Sequence, residues 1–262
     1  MRPLPVDHAS GSIQSNPKSV FVYEDTASTI AGISEITDRL SGGAIAIIGL
    51  GGTGGEVADL ICKTPCTKIK LIDGDIVEQH TAWRSPGAMS LSDITAAQFK
   101  VDYYAEVYGR MHRGIEAHQV HVGPGNLSLL DDVDFVFVCV DSVATRAFLI
   151  PELESRDLAF IDCGLGLRLV DEKVMGQVRV TTSTPAMRSH VHDNARIPVS
   201  GDDDDDLYRS NIQIGDLNRL AAVMAVIQYK QLRGFYADSG TEYHSVYTVD
   251  SNLIINADHR CR

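Results

Sequence analysis

The 262-residue chain has little cysteine and no long apolar run. Its five cysteines are scattered and none forms a Cys-x-x-Cys pair, so the sequence predicts neither a zinc clamp nor a redox dithiol. The longest apolar run covers residues 44–50, far short of the roughly 20 residues that cross a bilayer. These absences exclude a disulfide scaffold and argue against a membrane span.

A basic excess and an apolar N-terminal segment are also absent. The 23 Lys and Arg residues face 35 Asp and Glu residues, and the net charge of −12 argues against nucleic acid as a partner. Residues 1–19 contain Pro3, Pro5 and Asp7 where an export signal needs an apolar stretch, so we expect a cytoplasmic protein. Five consecutive aspartates at 202–206 predict a solvated loop or a surface for a basic partner.

The hydrophobic pattern alternates between strand and helix over the first two thirds of the chain. Apolar runs at 44–50 and 134–140 are typical of parallel strands buried on both faces. Helical spacing follows at 56–63, 93–111 and 142–155. The sequence therefore predicts an α/β fold with a Rossmann-like, mostly parallel central sheet, flanking helices and an antiparallel extension near the C-terminus.

The remaining segments suggest the domain organisation. Residues 1–28 lack a clear period and predict an arm or tail, followed by a single domain over 29–262. Residues 167–182 can form a hairpin, and apolar spacing predicts a long helix over 212–235. The polar stretch at about 183–210 predicts a flexible crossover loop inside the domain.

A glycine-rich turn joins the first apolar strand to the following helix. Gly49, Gly51 and Gly54 fit the G-x-G-x-x-G pattern, which lets the backbone approach a phosphate at a helix N-terminus. Asp73 follows Gly54 by 19 residues at the end of the second strand, where a carboxylate can accept from ribose hydroxyls. The pattern predicts a nucleotide site, although such a turn can also be purely structural.

Several features favour a triphosphate over a nicotinamide dinucleotide. The second glycine is doubled by Gly52, and Arg84 and Lys100 follow the acidic cluster that contains Asp75. A triphosphate usually needs such cations and a magnesium carboxylate. Asp141 ends the 134–140 strand, at the edge where ligands bind in open α/β sheets.

Four ordered segments resemble one family. They read IIGLGGTGG, LIDGDIVEQHTAWR, FKVDYYAEVYGRMH and DFVFVCVDSVATR. Together they are similar to the ThiF/MoeB/HesA adenylyltransferases, which include ubiquitin-activating enzymes, in the bacterial form. The family pattern has a G-x-G-G-x-G loop, a D-x-D-x-V-E strand end, an N-x-x-R segment, a P-K-V helix start and a C-x-D-N-x-x-x-R strand end. The match runs from about residue 44 to residue 146, and is weaker over 212–235.

The resemblance implies ATP and Mg²⁺ as cofactors and assigns roles to individual residues. Asp73 would hold the ribose, Arg84 and Lys100 would contact the triphosphate, and Asp141 would orient magnesium. The implied substrate is the C-terminal carboxylate of a ubiquitin-like protein with a glycine-ended tail, which attacks the α-phosphorus and releases pyrophosphate. Because that carboxylate is ionised at neutral pH, no strong base is required. The family also implies a homodimer and leaves room for a conjugating-enzyme partner.

Each of these site residues has a plainer interpretation. Arg84 can be a surface loop arginine, and Lys100 an exposed lysine on a helix. Asp141 can cap the helix that follows it. Asp75 can be a turn former instead of a ligand.

The chain departs from the family pattern at several positions. Thr81, Phe99 and Ser142 stand where the family usually has Asn, Pro and Asn. The crossover segment lacks the cysteine that carries the acyl group in some members. Either the enzyme stops at the adenylate, or a cysteine in another chain accepts the acyl group, or a hydroxyl in the 181–189 segment does so with His190 or His192 as base.

The sequence leaves other functions open. A dehydrogenase is the usual interpretation of the glycine motif alone. A tRNA threonylcarbamoyl-adenosine dehydratase also uses ATP and needs no crossover cysteine, although the net charge fits a tRNA substrate poorly. An inactive scaffold subunit is a third possibility, but it has no chemical reason to keep the full set of site residues.

Overall fold

The computed structural model describes residues 16–199 and 213–259. Eight strands in this part of the chain form one mixed sheet in the order β3-β2-β1-β4-β5-β6-β7-β8. The strands are β1 Ala44–Ile48, β2 Lys68–Ile72, β3 Ile115–His118, β4 Phe135–Val138, β5 Ala159–Val170, β6 Lys173–Ser183, β7 Glu242–Thr248 and β8 Leu253–His259. The run at 202–206 and Cys261 lie outside the described residues.

Helices connect and flank the strands. They are α1 Thr26–Ala31, α2 Ser34–Thr37, α3 Gly52–Ile61, α4 Gln79–Ala82, α5 Leu91–Thr95, α6 Lys100–Gly109, α7 Val143–Ser155, α8 Ser189–Asp193 and α9 Gly215–Leu232. Short 3-10 turns cover Asp38–Leu40 and Pro124–Leu130. In the described part of the chain, no helix has both the length and the hydropathy that crossing a bilayer requires.

The sheet has a parallel half and an antiparallel half. β3, β2, β1, β4 and β5 pair in parallel, and β5 to β8 pair antiparallel. The predicted hairpin forms between β5 and β6, and Asp171 and Glu172 both have positive φ at its turn. This mixed sheet with flanking helices confirms the predicted fold class.

Alternate residues of β1 enter two different hydrophobic clusters. Ile45 and Ile47 pack on the side of α3, α6 and α9, whereas Ala46 and Ile48 pack on the side of α7. Because both faces of the central strands are covered, these strands have continuous apolar sequences. The carboxyl ends of the parallel strands are thereby held together at one edge.

Two helix predictions differ from the structure. The helix predicted over 93–111 is two helices, because Ala97 adopts a positive φ and Ile76 pairs with Phe99 in an isolated β-bridge. The helix predicted to begin at Glu56 begins at Gly52, inside the glycine cluster. Sequence propensity places glycine outside helices, but here the close packing of α3 favours it.

The segments predicted as arm and crossover loop are described in part. Of the first 28 residues, Phe21 forms a β-bridge with His112, and α1 already begins at Thr26. In the crossover segment, α8 interrupts the polar stretch. Residues 1–15 and 200–212 lie outside the described residues.

Candidate active site

A cavity of about 430 Å³ opens at the carboxyl edge of the parallel strands. It lies where β1 has β2 on one side and β4 on the other, with β5 beyond β4. Ligands of open α/β sheets bind at such a switch point. Eight of the nine residues predicted for the site line this cavity: Gly49, Gly51, Gly52, Asp73, Asp75, Arg84, Lys100 and Asp141.

The glycine turn places the start of α3 at the cavity. Gly51 is the N-cap of α3 and provides no side-chain cap. The first N–H groups of a helix have no partner within the helix, so this end suits a phosphate. Gly51, Gly52 and Thr53 all line the cavity.

Two glycines of the motif are required by the local geometry. Gly49 has a φ of +86°, and a Cβ there would lie 2.8 Å from the Cys139 carbonyl oxygen. A Cβ at Gly54 would lie 1.8 Å from the carbonyl oxygen of Gly49. Gly54 is the one predicted site residue outside the cavity lining, and it packs the helix against the turn.

Backbone groups orient the carboxylate of Asp73. Its Oδ2 accepts a hydrogen bond from the Leu50 N–H at 2.5 Å, and its Oδ1 accepts one from the Asp75 N–H at 2.7 Å. Each carboxylate oxygen keeps further acceptor capacity. Asp73 is therefore held at the cavity with lone pairs that can accept from ligand hydroxyls.

Lys100 forms a salt bridge with Asp75 at the cavity. Its Nζ lies 2.7 Å from Asp75 Oδ2, and the lysine side chain is 7% exposed. Burial by itself would raise the pKa of the Asp75 carboxyl, but the hydrogen bond and charge of Lys100, with smaller effects of His121 and Arg84, hold that pKa below its usual value. The interpretation of Lys100 as an exposed helix lysine is wrong.

Two side-chain donors at the cavity have no hydrogen-bond partner within the described residues. They are Nε of Arg84 and Nδ2 of Asn218, and both atoms are buried. Asn218 comes from α9, where its Oδ1 accepts from the Thr53 hydroxyl at 2.9 Å. Since an unpaired buried donor is costly, both atoms fit a site that holds a polar ligand.

Asp141 follows β4 on an exposed position of the cavity rim. Its carbonyl oxygen accepts from Nη1 of Arg146 at 3.2 Å. The alternative that Asp141 caps α7 is wrong, because Ser142 is the N-cap and its Oγ accepts from the Thr145 N–H.

The side chains near Asp141 can be compared with the ligands that the predicted Mg²⁺ requires. Among the described residues, no group of three or more His, Cys, Asp or Glu side chains is placed to hold a metal. Mg²⁺ usually binds through one or two carboxylates together with waters and substrate phosphates. The single carboxylate of Asp141 therefore fits an ion that arrives with a triphosphate, and does not form a metal site by itself.

Sequence reasoning missed a buried ion cluster beside the cavity. Asp162 on β5 is fully buried and accepts from Arg146 Nε at 2.9 Å and from Arg179 Nη2 at 2.5 Å. Arg146 also donates to the carbonyls of Val140 and Cys163. A carboxylate inside the otherwise apolar run at 158–163 was the signal that could have indicated this cluster.

The departures from the family pattern have local structural roles. Thr81 accepts from the Glu78 N–H and completes the capping box of α4. Phe99 is the N-cap of α6 with the extended backbone that a proline would also adopt. Together with the capping Ser142, each of these residues lies at the start of a helix.

The hydroxyls suggested as acyl acceptors do not line the cavity. Thr181, Thr182 and Ser183 are at most 1% exposed. The His190 ring contacts the carbonyl of Thr182, and His192 pairs with Glu154. Neither histidine is therefore placed to activate a hydroxyl toward a ligand in this cavity.

Solved structures with a similar fold include two proteins at low sequence identity. A crystal structure of E. coli MccB with succinimide superimposes with a TM-score of 0.59 at 16% identity, over 85% of this chain and 66% of MccB. A structure of selenomethionine PaaA gives a TM-score of 0.63 at 17% identity, over 86% of this chain and 75% of PaaA. The chain thus spans slightly less than two thirds of the MccB chain. Other E. coli MccB structures contain ATP or MccA.

Comparisons by sequence give a family assignment. No curated protein sequence matches the chain. The family model described as the ThiF family matches residues 27–250, which is most of the chain. The chain therefore belongs to the ThiF family.

Proposed function

We propose that the protein adenylates the C-terminal carboxylate of a peptide or small protein. A carboxylate oxygen attacks the α-phosphorus of ATP, the bond from that phosphorus to the bridging oxygen breaks, and pyrophosphate leaves with the electron pair. The products are an acyl-adenylate and pyrophosphate. Membership in the ThiF family supports this general chemistry, and the cavity at the carboxyl edge of the sheet carries the proposal for this chain.

The phosphate loop and the ribose acid bind the nucleotide in this proposal. The first turn of α3 offers backbone N–H groups to a phosphate. Asp73, already oriented by two backbone donors, accepts from the ribose hydroxyls. The unpaired donors of Arg84 and Asn218 find acceptors on the bound nucleotide.

Arg84 and Lys100 stabilise the negative charge that develops on pyrophosphate. Lys100 is held by Asp75, whose side chain is 56% exposed. A triphosphate carries more negative charge than one carboxylate and attracts the lysine more strongly. Preorganised cations of this kind account for most of the catalysis in nucleotidyl transfer, because the substrate carboxylate needs no base.

In this proposal, the Asp141 carboxylate would hold Mg²⁺. Bound Mg²⁺ neutralises phosphate charge and makes the α-phosphorus more electrophilic. The chain's own contribution is to hold the Asp141 backbone in place through Arg146. That contact connects the loop after β4 to the α7 helix.

The finer features of the substrate and assembly are part of the same proposal. The carboxylate belongs to a ubiquitin-like protein with a glycine-ended tail, or to another small protein or peptide. E. coli MccB, which has a similar fold, has been solved together with MccA. A homodimer and a downstream conjugating partner follow from the family resemblance. The hydroxyls of Thr181, Thr182 and Ser183 are buried and do not line the cavity, so in this proposal the acyl acceptor belongs to another molecule.

ATP–pyrophosphate exchange with glycine-ended peptides and ubiquitin-like proteins tests this function. We expect exchange with the wild type and a loss of at least about 100-fold in D141N and K100M, the usual cost of removing one transition-state contact. D171N is the matched control, because Asp171 lies in the exposed β5–β6 turn. NADH binding without ATP binding would refute the proposal, and normal exchange by D141N would refute the role of Asp141.

A further inference from the structure

The β5–β6 hairpin forms one wall of the cavity. Gly164 pairs with Arg179 across the two strands, and Gly166 pairs with Gln177. All four residues line the cavity. Since side chains alternate along a strand, the intervening Val178 points to the opposite face, where it joins the hydrophobic core.

The guanidinium of Arg179 lies over Gly164. A Cβ at Gly164 would be 2.5 Å from Nη2 and 3.0 Å from both Cζ and Nε of Arg179. Nη2 donates to Asp162 at 2.5 Å, and Nη1 donates to the Thr181 hydroxyl at 2.9 Å. Within the described residues, these bonds use two of the five N–H groups of an arginine. Arg179 is thus held in one place with donors to spare.

The other cationic residues at the cavity have different partners and lie on different elements. Lys100 lies beside Asp75, after β2. Arg146 donates to Asp162 and to three backbone carbonyls, so it braces the loop that carries Asp141. Arg84 belongs to the loop after α4, whereas Arg179 is the cation of the β5–β6 wall.

An acyl substrate needs a cation on that wall. Its carboxylate must approach both the Asp141 carboxylate and the phosphates of ATP, and like charges repel at such distances. A guanidinium that donates two parallel hydrogen bonds to carboxylate or carbonyl oxygens offsets this repulsion and also fixes orientation. A Cβ at Gly166 would meet no described atom within 4 Å, so the wall leaves room for a peptide chain.

We propose that Arg179 binds the acyl substrate by donating hydrogen bonds to the oxygens of its C-terminal residues, which lie beside the guanidinium and extend over Gly166. This assignment rests on the proposed adenylation. It makes Arg179 a specificity-determining residue for the acyl end of the adenylate, and gives it no role in binding ATP. Gly164 matters because any larger residue there displaces the guanidinium.

Two non-hydrolysable adenylate mimics test the assignment by isothermal titration calorimetry. Sulfamoyl adenosine occupies only the nucleotide part of the site, whereas glycylglycyl-sulfamoyl adenosine adds the acyl tail. We expect the wild type to bind the acylated mimic at least about tenfold more tightly, the effect of a charge-assisted hydrogen bond. R179Q and G164A should each abolish most of that ratio while they keep the affinity for sulfamoyl adenosine.

The ratio of the two affinities separates recognition from a structural effect. A variant that merely loosens Asp162 weakens both mimics equally, which would overturn the assignment, as would an unchanged ratio in both variants. R168Q is the matched control, because Arg168 lies further along β5 and outside the cavity lining. Failure of the wild type to bind either mimic would instead refute the proposed adenylation, and the assignment with it.

Discussion

The buried position of Asp162 predicts that its charge matters far more than that of an exposed aspartate. The D162N substitution keeps the size of the side chain but removes the charge between Arg146 and Arg179, which lie 2.9 and 2.5 Å away. The arginine side chains are 5% and 16% exposed, so neither can regain full hydration. Leaving such charges uncompensated costs about 3–5 kcal/mol of unfolding free energy.

The chain offers a matched exposed pair. Asp131 lies 2.6 Å from Arg156, but their side chains are 63% and 31% exposed. Water screens this pair, so D131N should cost less than about 1 kcal/mol. Urea unfolding at neutral pH, followed by circular dichroism, measures both values. Equal losses in the two variants would refute the argument that burial, and not the ion pair itself, determines the cost.

Two further predictions concern buried polar groups away from the cavity. Burial lowers the pKa of His244 to about 4, and the charges of Arg196 and Arg179 act in the same direction. The unfolded histidine takes up its proton near pH 6.5, whereas the folded one does so only near pH 4. The free energy of unfolding should therefore fall by up to about 3 kcal/mol as the pH is lowered from about 6.5 to about 4. Urea unfolding of H244Q should show a weaker decline over the same range. A decline of the same size in H244Q would contradict this. Ser183 Oγ is buried without a partner among the described residues, so S183A should leave the thermal midpoint unchanged or raise it, with pyrophosphate exchange unaffected. A large fall in the thermal midpoint or in pyrophosphate exchange would show that the Ser183 hydroxyl has a structural or functional role.

The fold class was predictable because burial on both faces leaves a distinct trace in the sequence. The apolar runs around Ile47 and Phe137 became the adjacent central strands β1 and β4. Helix boundaries were less predictable, since the break at Ala97 depends on pairing of Phe99 with the distant Ile76. A local period carries no information about such a partner.

Some residues of the candidate site could likewise be predicted from the sequence, and others could not. Motif spacing identified Asp73, Lys100 and Asp141, and the structure brings all three to one cavity. Motif spacing did not identify Asn218 or Arg179, which reach the cavity from α9 and β6 and are far from the motifs along the chain. Neither residue belongs to a local pattern, so only long-range packing reveals it.

The order of residues along the chain was sufficient to indicate the alternating strands and helices, the glycine turn and the acid that follows it. These features depend on neighbours within about 20 residues, through backbone geometry and hydrophobic period. Which polar side chains are buried, and which of them line the cavity, depends on contacts such as that of Asn218 with Thr53, which lie 165 residues apart along the chain. Those contacts exist only once the sheet and its helices have assembled, because side-chain burial is a property of the folded core.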